Sequence, residues 1–220
     1  MGIELNQMIL GHVIQMKSES VPEKKCLIFE RNERPDVHLT YADLWRDANK
    51  VAAMLQEEGV GKGDKFAIMM RNHPEFLYAM TAGTLTGAIS IPVDPRTKGQ
   101  KLKYYLDNSE AKVVLITADM IPMIEEIIRD LPQVRSVYVN YMPWEEKGTN
   151  YPTLNEVIEG PETYVGNHIE DPMHPMEIIY TSGTTGDPKG VVCANNRIAQ
   201  YALMAQMVWK YQEHDIPYTG

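Results

Sequence analysis

Residues 180–190 have the residue types and spacing of a loop that binds a polyphosphate. They read Tyr-Thr-Ser-Gly-Thr-Thr-Gly-Asp-Pro-Lys-Gly. Glycine adopts backbone conformations that other residues avoid, so the two internal glycines let several N–H groups face one concavity. The hydroxyls can donate further hydrogen bonds, and the lysine adds a full positive charge for a phosphate oxygen. We therefore predict that phosphates are bound by Thr181, Ser182, Gly183, Thr184, Thr185, Gly186 and Lys189.

A Walker A loop is a poorer interpretation of this segment. That motif needs Gly immediately before its Lys and Ser or Thr immediately after it. Here Pro188 precedes Lys189 and Gly190 follows it. The segment also leads into a predicted strand, so no helix N-terminus points at the phosphates. An ordinary flexible loop is the other alternative, but a long contiguous match between two apolar strands favours a binding loop.

The elements that must position this loop alternate between strands and helices. Short apolar runs predict strands at 65–70, 88–91, 112–116, 135–139, 177–180 and 190–193. Helical periodicity predicts helices from Thr40 to just before Gly59 and at 74–85, 101–106, 119–128, 154–158 and 197–211. This alternation predicts an α/β fold with a mostly parallel sheet flanked by helices. Ligands of such folds lie beyond the carboxyl ends of the strands.

Polar residues mark the starts of three predicted helices. Thr40 with Asp43 and Thr153 with Glu156 have the spacing of capping boxes. Asp119 is predicted to cap the helix at 119–128.

The composition is that of a soluble globular protein and limits its partners. The 220 residues are 44% hydrophobic and 23% charged, with a formal net charge of −9. That charge repels phosphate backbones and anionic membranes, so we expect no nucleic-acid partner. Residues 76–93, the longest uncharged stretch, are too interrupted by polar residues to span a bilayer. The N-terminus also lacks the basic region of a signal peptide, and we predict a cytoplasmic protein.

The cysteines and histidines do not have the spacing of a metal site or a disulfide framework. Cys26 and Cys193 lie far apart and form no C-x-x-C pair, so we interpret both as free, buried thiols. His168 and His174 fall in a predicted loop and are expected to be solvent-exposed.

Residues 180–190 resemble the phosphate-binding signature of the AMP-forming acyl-CoA synthetase superfamily. That group includes acyl-CoA ligases, luciferases and the adenylation domains of nonribosomal peptide synthetases. Residues 39–44 are similar to the family's first motif, in which Glu is commoner than Asp43, and residues 85–96 are similar to the second. Residues 106–117 resemble the helix and strand that follow it. The resemblance covers most of the chain.

The resemblance implies ATP-dependent activation of a carboxylic acid. Family enzymes convert the acid to an acyl-adenylate and then to an acyl-CoA thioester, using ATP, Mg²⁺ and CoA as co-substrate. It assigns the loop to the β- and γ-phosphates of ATP and makes Lys189 the candidate catalytic residue. The ending of the second motif, 91–96, favours an acyl-CoA ligase over a peptide-synthetase module. The acid can be fatty, aromatic or carnitine-like.

The sequence departs from the family pattern in two respects. Asn195 stands where the family often has His, six residues after the signature lysine. The later family motifs for adenine, ribose, the hinge and the catalytic lysine of the C-terminal domain do not occur. We therefore expect a partial N-terminal AMP-binding domain over 1–220, inactive alone and without the C-terminal domain.

Within it we expect an alternating region at 1–139, an irregular connection at 140–175, and the phosphate-loop hairpin with its following helix at 176–220. Oligomerisation is possible if the chain exposes apolar surface that further polypeptide normally covers.

Two alternatives to a ligase remain open at this point. A catalytically inactive nucleotide-binding or interaction module is favoured if the natural gene ends at residue 220. A P-loop phosphotransferase is disfavoured by Pro188 and Gly190.

Overall fold

The computed structural model describes residues 8–31, 33–181, 187–212 and 215–217. The described strands are β1 (Lys25–Arg31), β2 (Arg34–Thr40), β3 (Lys65–Met69), β4 (Ile89–Pro92), β5 (Val113–Thr117), β6 (Ser136–Asn140), β7 (Pro175–Thr181) and β8 (Lys189–Ala194). The described α-helices are α1 (Leu10–Ser20), α2 (Tyr41–Glu57), α3 (Pro74–Thr86), α4 (Gly99–Ser109), α5 (Ile121–Glu125), α6 (Leu154–Glu159) and α7 (Asn195–Trp209).

Six strands form one sheet in the order β6-β5-β3-β4-β7-β8. Every neighbouring pair is parallel except β7 with β8, which are antiparallel. Strands β1 and β2 form a separate antiparallel hairpin. The α/β prediction with a mostly parallel sheet is therefore confirmed.

Helices cover both faces of this sheet because its central strands are apolar on both sides. Phe66 and Ile68 of β3 pack into a core with α2 and α3, whereas Ala67 and Met69 pack into a second core with α4 and α5. Side chains in a strand alternate between faces, so one short apolar run supplies both cores.

Helix α2 begins and ends where its sequence predicts. Thr40 accepts a hydrogen bond from the Asp43 backbone N–H, and the Asp43 carboxylate accepts one from the Thr40 N–H, which completes a capping box. Gly59 follows the helix with a φ of 69°, a left-handed conformation that glycine adopts without strain.

The segment around residue 119 differs from its prediction. Instead of one helix over 119–128 there is a 3₁₀ turn at Ala118–Met120, the short α5 and a second 3₁₀ turn at Ile128–Asp130. Asp119 does not act as an N-cap; it accepts a hydrogen bond of 2.7 Å from the Thr117 hydroxyl and pairs with Arg71. Pro122 in the first turn of α5 and these competing contacts explain the broken helix.

The first 40 residues contain structure that the sequence patterns did not predict. Helix α1 packs on α2 and α3, and the β1–β2 hairpin lies against α2. The hairpin is fixed by Phe29 against the His73 ring and by Arg34 over the Trp144 ring, 3.8 Å from its centroid. Both contacts are long-range, so local periodicity carried no sign of them.

The predicted connection at 140–175 is ordered by contacts with the rest of the chain. Thr153 bridges to Val139 beside β6, and the His168 N–H donates to the Leu85 carbonyl. His168 is exposed as expected, but His174 is half-buried, with its Nε2 2.9 Å from the Gly87 carbonyl oxygen. The exposure predicted for His174 was therefore wrong, because the segment preceding β7 packs against the end of α3.

Helix α7 lies at the end of the described fold and buries little of its surface. Asn195 is its only buried residue. Its exposed large apolar side chains are Tyr201, Leu203, Met204, Met207, Val208 and Trp209. Among the helices formed by described residues, none is long and apolar enough to cross a membrane.

Candidate functional site

The predicted phosphate loop connects β7 to β8. Residues 182–186 of the prediction (Ser182, Gly183, Thr184, Thr185 and Gly186) lie outside the described residues. The two strands bring the loop's ends together, since Thr181 pairs with Lys189 across the antiparallel ladder. Because β7 runs parallel to β4, the loop begins at the carboxyl edge of the parallel sheet. Ligands of such sheets bind along this edge.

Thr181 and Lys189 are the predicted phosphate ligands that the structure describes. Both are exposed, and the Thr181 hydroxyl lies 3.4 Å from the Lys189 carbonyl oxygen. Within the described part of the chain, no acidic side chain forms an ion pair with the Lys189 ammonium. Its charge therefore faces solvent at the mouth of the loop, where an anionic ligand can reach it.

Gly190 lies opposite Tyr180 in the same strand pair and is required by close packing. A Cβ atom added at Gly190 would lie 2.7 Å from the Ile178 Cγ2 and 3.5 Å from the Tyr180 ring. The glycine after the lysine thus leaves room for the Ile178 side chain, while the Tyr180 ring would tolerate the added atom.

A group of aromatic residues on α4 packs against the ends of the loop. The Tyr105 and Tyr180 rings are stacked, with centroids 4.4 Å apart and planes inclined by 19°. The Tyr104 hydroxyl donates to the Pro188 carbonyl at 3.1 Å, and the Tyr180 hydroxyl donates to Asn108 Oδ1 at 2.7 Å. Burial is the main cause of the raised pKa of the Tyr180 phenol, which therefore stays protonated as a donor.

These α4 residues were not among the predicted site residues. Lys101 belongs to the same face, with its ammonium 5.7 Å from the Tyr105 ring centroid. Residues 101, 104, 105 and 108 have the spacing of one helix face, and this spacing is visible in the sequence. The pairing of that face with a strand 75 residues away is set by the sheet order, which local patterns do not encode.

The turn after β4 lies on the same edge of the sheet. Arg96 there is engaged with Asp94 at 2.6 Å, and hydrogen bonds from Arg96 lower the pKa of the Asp94 carboxyl to about 2. The guanidinium is almost fully exposed, so a ligand phosphate can compete with this local ion pair.

Asn195 stands where the predicted family often has His, and here its side chain connects two segments of the fold. Its side-chain amide donates to the His174 carbonyl at 2.9 Å, which joins the start of α7 to the segment preceding β7. The residue is 1% exposed, and its Oδ1 has no hydrogen-bond partner among the described residues.

A second polar group lies at the carboxyl end of β6, the outermost strand of the sheet. Asn140 ends β6 and is buried, and neither atom of its amide has a hydrogen-bond partner among the described residues. Glu75, in the first turn of α3, lies beside this amide, too far for a well-formed hydrogen bond, and the amide partly offsets the effect of burial on the Glu75 pKa. Burial raises the pKa of the Glu75 carboxyl, and the nearby Asp47 carboxylate raises it further.

The described residues do not form a divalent-metal site. No group of three or more His, Cys, Asp or Glu side chains is placed to hold an ion within them. Both cysteines are free thiols, as predicted; Cys193 is also buried, but Cys26 is only half-buried, so its predicted burial was wrong. Partial burial still raises the pKa of Cys26 to about 11. Such a thiol is not a nucleophile at neutral pH.

One family model and several known proteins match most of this chain. The model of the AMP-binding enzyme family matches residues 14–218. Crotonobetaine/carnitine–CoA ligase of Salmonella arizonae is 31% identical over 184 residues, covering 81% of this chain and 35% of the ligase. Tyrocidine synthase 3 of Brevibacillus parabrevis is 26% identical over 205 residues, covering 93% of this chain and 3% of the synthase.

Solved structures share the fold. Acetoacetyl-CoA synthetase from Streptomyces lividans superposes with a TM-score of 0.81 at 21% identity, covering 90% of this chain and 32% of the synthetase. The chain therefore spans about a third of the length of this ligase and this synthetase.

Proposed function

The chain belongs to the AMP-binding enzyme family, and from that premise we propose that it supplies the ATP phosphate-binding loop of an acyl-CoA ligase. One observation carries the proposal. A loop rich in glycine and hydroxyl residues leaves the carboxyl end of β7 and returns at Lys189, whose ammonium has no acidic partner among the described residues.

The proposed reaction has two steps. A carboxylate oxygen of the acid attacks the α-phosphorus of ATP, and the bond to the bridging oxygen breaks to release pyrophosphate. The CoA sulfur then attacks the acyl carbon, its thiol proton passes to solvent, and AMP leaves with the electron pair of the C–O bond. The first step requires alignment and charge neutralisation, since the acid is already ionised at neutral pH.

In this scheme the residues of the chain act on the leaving pyrophosphate. Lys189 and the backbone N–H groups of the loop neutralise the β- and γ-phosphates, which reduces their repulsion of the incoming carboxylate. Thr181 adds a hydroxyl donor at the loop entrance. Mg²⁺, when bound, would neutralise further phosphate charge. Since the described residues do not form its site, we assign it no ligands here.

A ligase is preferred to a peptide-synthetase module because of the 91–96 segment and the 31% identity to a carnitine–CoA ligase. The acid is not specified by this part of the chain. The chain spans about a third of the ligase length and lacks the adenine and ribose motifs that the family resemblance implies. We therefore propose that it does not complete the reaction alone.

The same observation favours one alternative, a nucleotide-binding or interaction module without catalysis. Acid-dependent ATP–pyrophosphate exchange separates the two. It should be measured over a panel of fatty, aromatic and carnitine-like acids, in the 220-residue chain and in the product of the gene read to its stop codon.

Exchange with one class of acid in the longer product supports the ligase and identifies its substrate. Exchange in the 220-residue chain would contradict its proposed inactivity. ATP binding without exchange in either protein would support the non-catalytic module instead.

A further inference from the structure

Helix α4 holds both ends of the phosphate loop. At the loop entrance, the Tyr180 hydroxyl donates to Asn108 of α4 at 2.7 Å. At the exit, the Tyr104 hydroxyl of α4 donates to the carbonyl of Pro188 at 3.1 Å. Tyr104 and Asn108 are one helical turn apart, so the same rigid turn fixes the residue before Thr181 and the residue before Lys189.

Ring packing fixes the entrance further. The Tyr180 ring stacks on Tyr105, and the Tyr104 ring meets it edge-on with centroids 6.3 Å apart and planes inclined by 79°. Stacked and edge-on arrangements are both favourable for aromatic pairs. Tyr105 is itself only 5% exposed and belongs to the core between α4 and the sheet. Its ring is therefore held in place by packing, and it restrains the Tyr180 ring that stacks on it.

The Tyr104 contact is not needed to form the strand pair. The β7–β8 ladder closes with Thr181 and Lys189, and Pro188 lies outside it. The hydroxyl therefore constrains a carbonyl that the sheet leaves free, immediately before the lysine that faces the ligand.

We propose that Tyr104, Tyr105 and Asn108 are positioning residues for phosphate binding, which hold Tyr180 and Pro188 in fixed places on α4. This inference rests on the proposed function of the loop. Fixing Tyr180 and Pro188 before binding lowers the conformational entropy that binding costs. The residues do not touch the phosphates themselves; they act through Tyr180 and Pro188.

The test is Tyr104→Phe, which keeps the ring and removes the hydroxyl. Tyr141→Phe is the matched control, because its hydroxyl pairs with Thr149 at 3.2 Å, in the connection that follows β6. Two readouts are used in the 220-residue chain: the rate of tryptic cleavage after Lys189, and the affinity for pyrophosphate by calorimetry. Thermal unfolding of both variants is followed alongside.

For Tyr104→Phe we expect cleavage to become about fivefold faster and pyrophosphate affinity to fall about fivefold, the effect of one hydrogen bond. Tyr141→Phe should change neither the cleavage rate nor the affinity. Its thermal stability should fall about as much as that of Tyr104→Phe, because each variant loses one hydroxyl hydrogen bond. Equal cleavage rates and affinities in the two variants would overturn the proposal.

Failure of the proposed function gives a different result. If the unmodified chain binds neither pyrophosphate nor ATP, the function of the loop is wrong, while the cleavage rates still decide whether α4 restrains its ends. Tyr180→Phe, which loses the Asn108 contact and keeps the stack, should match Tyr104→Phe in cleavage. A rate equal to that of Tyr141→Phe would count against the inference.

Discussion

Tyr180 and Gly190 face each other across the β7–β8 pair, and a Cβ atom at Gly190 would lie only 2.7 Å from the Ile178 Cγ2. We expect Gly190→Ala to destabilise the protein by about 1–3 kcal/mol, because the new Cβ would overlap Ile178. Denaturant unfolding measures this. Gly61→Ala is the control, since nothing lies within 4 Å of a Cβ there. Equal stability of the two variants would show that the hairpin relaxes around the methyl group.

Lys189→Ala should weaken pyrophosphate and ATP binding about 10- to 100-fold, the loss of one charge-assisted hydrogen bond. The side chain is exposed, so the unfolding midpoint should not change. Calorimetry with each ligand measures the affinity. Lys62→Ala is the comparison, because Lys62 is exposed at the opposite, amino end of β3. Unchanged affinity in Lys189→Ala would remove this lysine from the site.

Much of the sheet could be predicted from the sequence. Strands β3 to β8 are short apolar runs bounded by polar residues or glycine, and each was located to within about two residues. The Thr40–Asp43 capping box was also readable, because both partners are local. By contrast, the β1–β2 hairpin alternates weakly and is held by long-range ring contacts, so periodicity missed it.

The site was predictable only where its residues are contiguous. The residue types within 180–190 are enough to indicate a phosphate-binding loop. The phosphate-contacting roles of the individual residues stay predictions. Tyr104, Tyr105 and Asn108 enter through the packing of α4 on β7, which depends on the β3-β4-β7 order. No local pattern specifies which strand a helix face will meet.

Glu75→Gln should alter the pH dependence of stability. Burial raises the pKa of Glu75 above its unfolded value, so the folded state binds its proton more tightly. This contribution to stability is fully present below the unfolded pKa, near 4.5, and is lost as pH rises through the higher folded value. At pH 8 the glutamine variant should be more stable by about 1.4 kcal/mol for each unit of pKa difference.

Denaturant unfolding at pH 4 and pH 8 tests this, with Glu159→Gln as an exposed control on α6. A Glu75→Gln variant whose advantage is the same at both pH values would mean that Glu75 is ionised without penalty in the folded state.

Thr40→Ala should cost about 1 kcal/mol, because it removes the acceptor for the Asp43 N–H at the start of α2. Thr163→Ala, at an exposed position outside the helices, should cost little. Thermal unfolding compares them. If both variants unfold together with the parent, the cap contributes nothing to α2.

Helix α7 should exchange its amide hydrogens faster than α3. Helix stability in proteins derives mainly from packing, and Asn195 is the only buried residue of α7, whereas ten residues of α3 are buried. Deuterium uptake followed by mass spectrometry measures both helices in one experiment. Equal protection would indicate that α7 is covered, for instance by a second copy of the chain.

The single register pair between β4 and β7 bears on the order in which the protein folds. Strands β3 to β6 are joined by short crossovers, whereas Ser90 and Met176, which are hydrogen-bonded, lie 86 positions apart. Closing a longer loop is slower, so the β7–β8 hairpin should join a sheet that has already formed. Substitutions in the hairpin would then speed unfolding and leave the folding rate nearly unchanged. A loop attached so late can change its chemistry over evolution without hindering the assembly of the sheet that carries it.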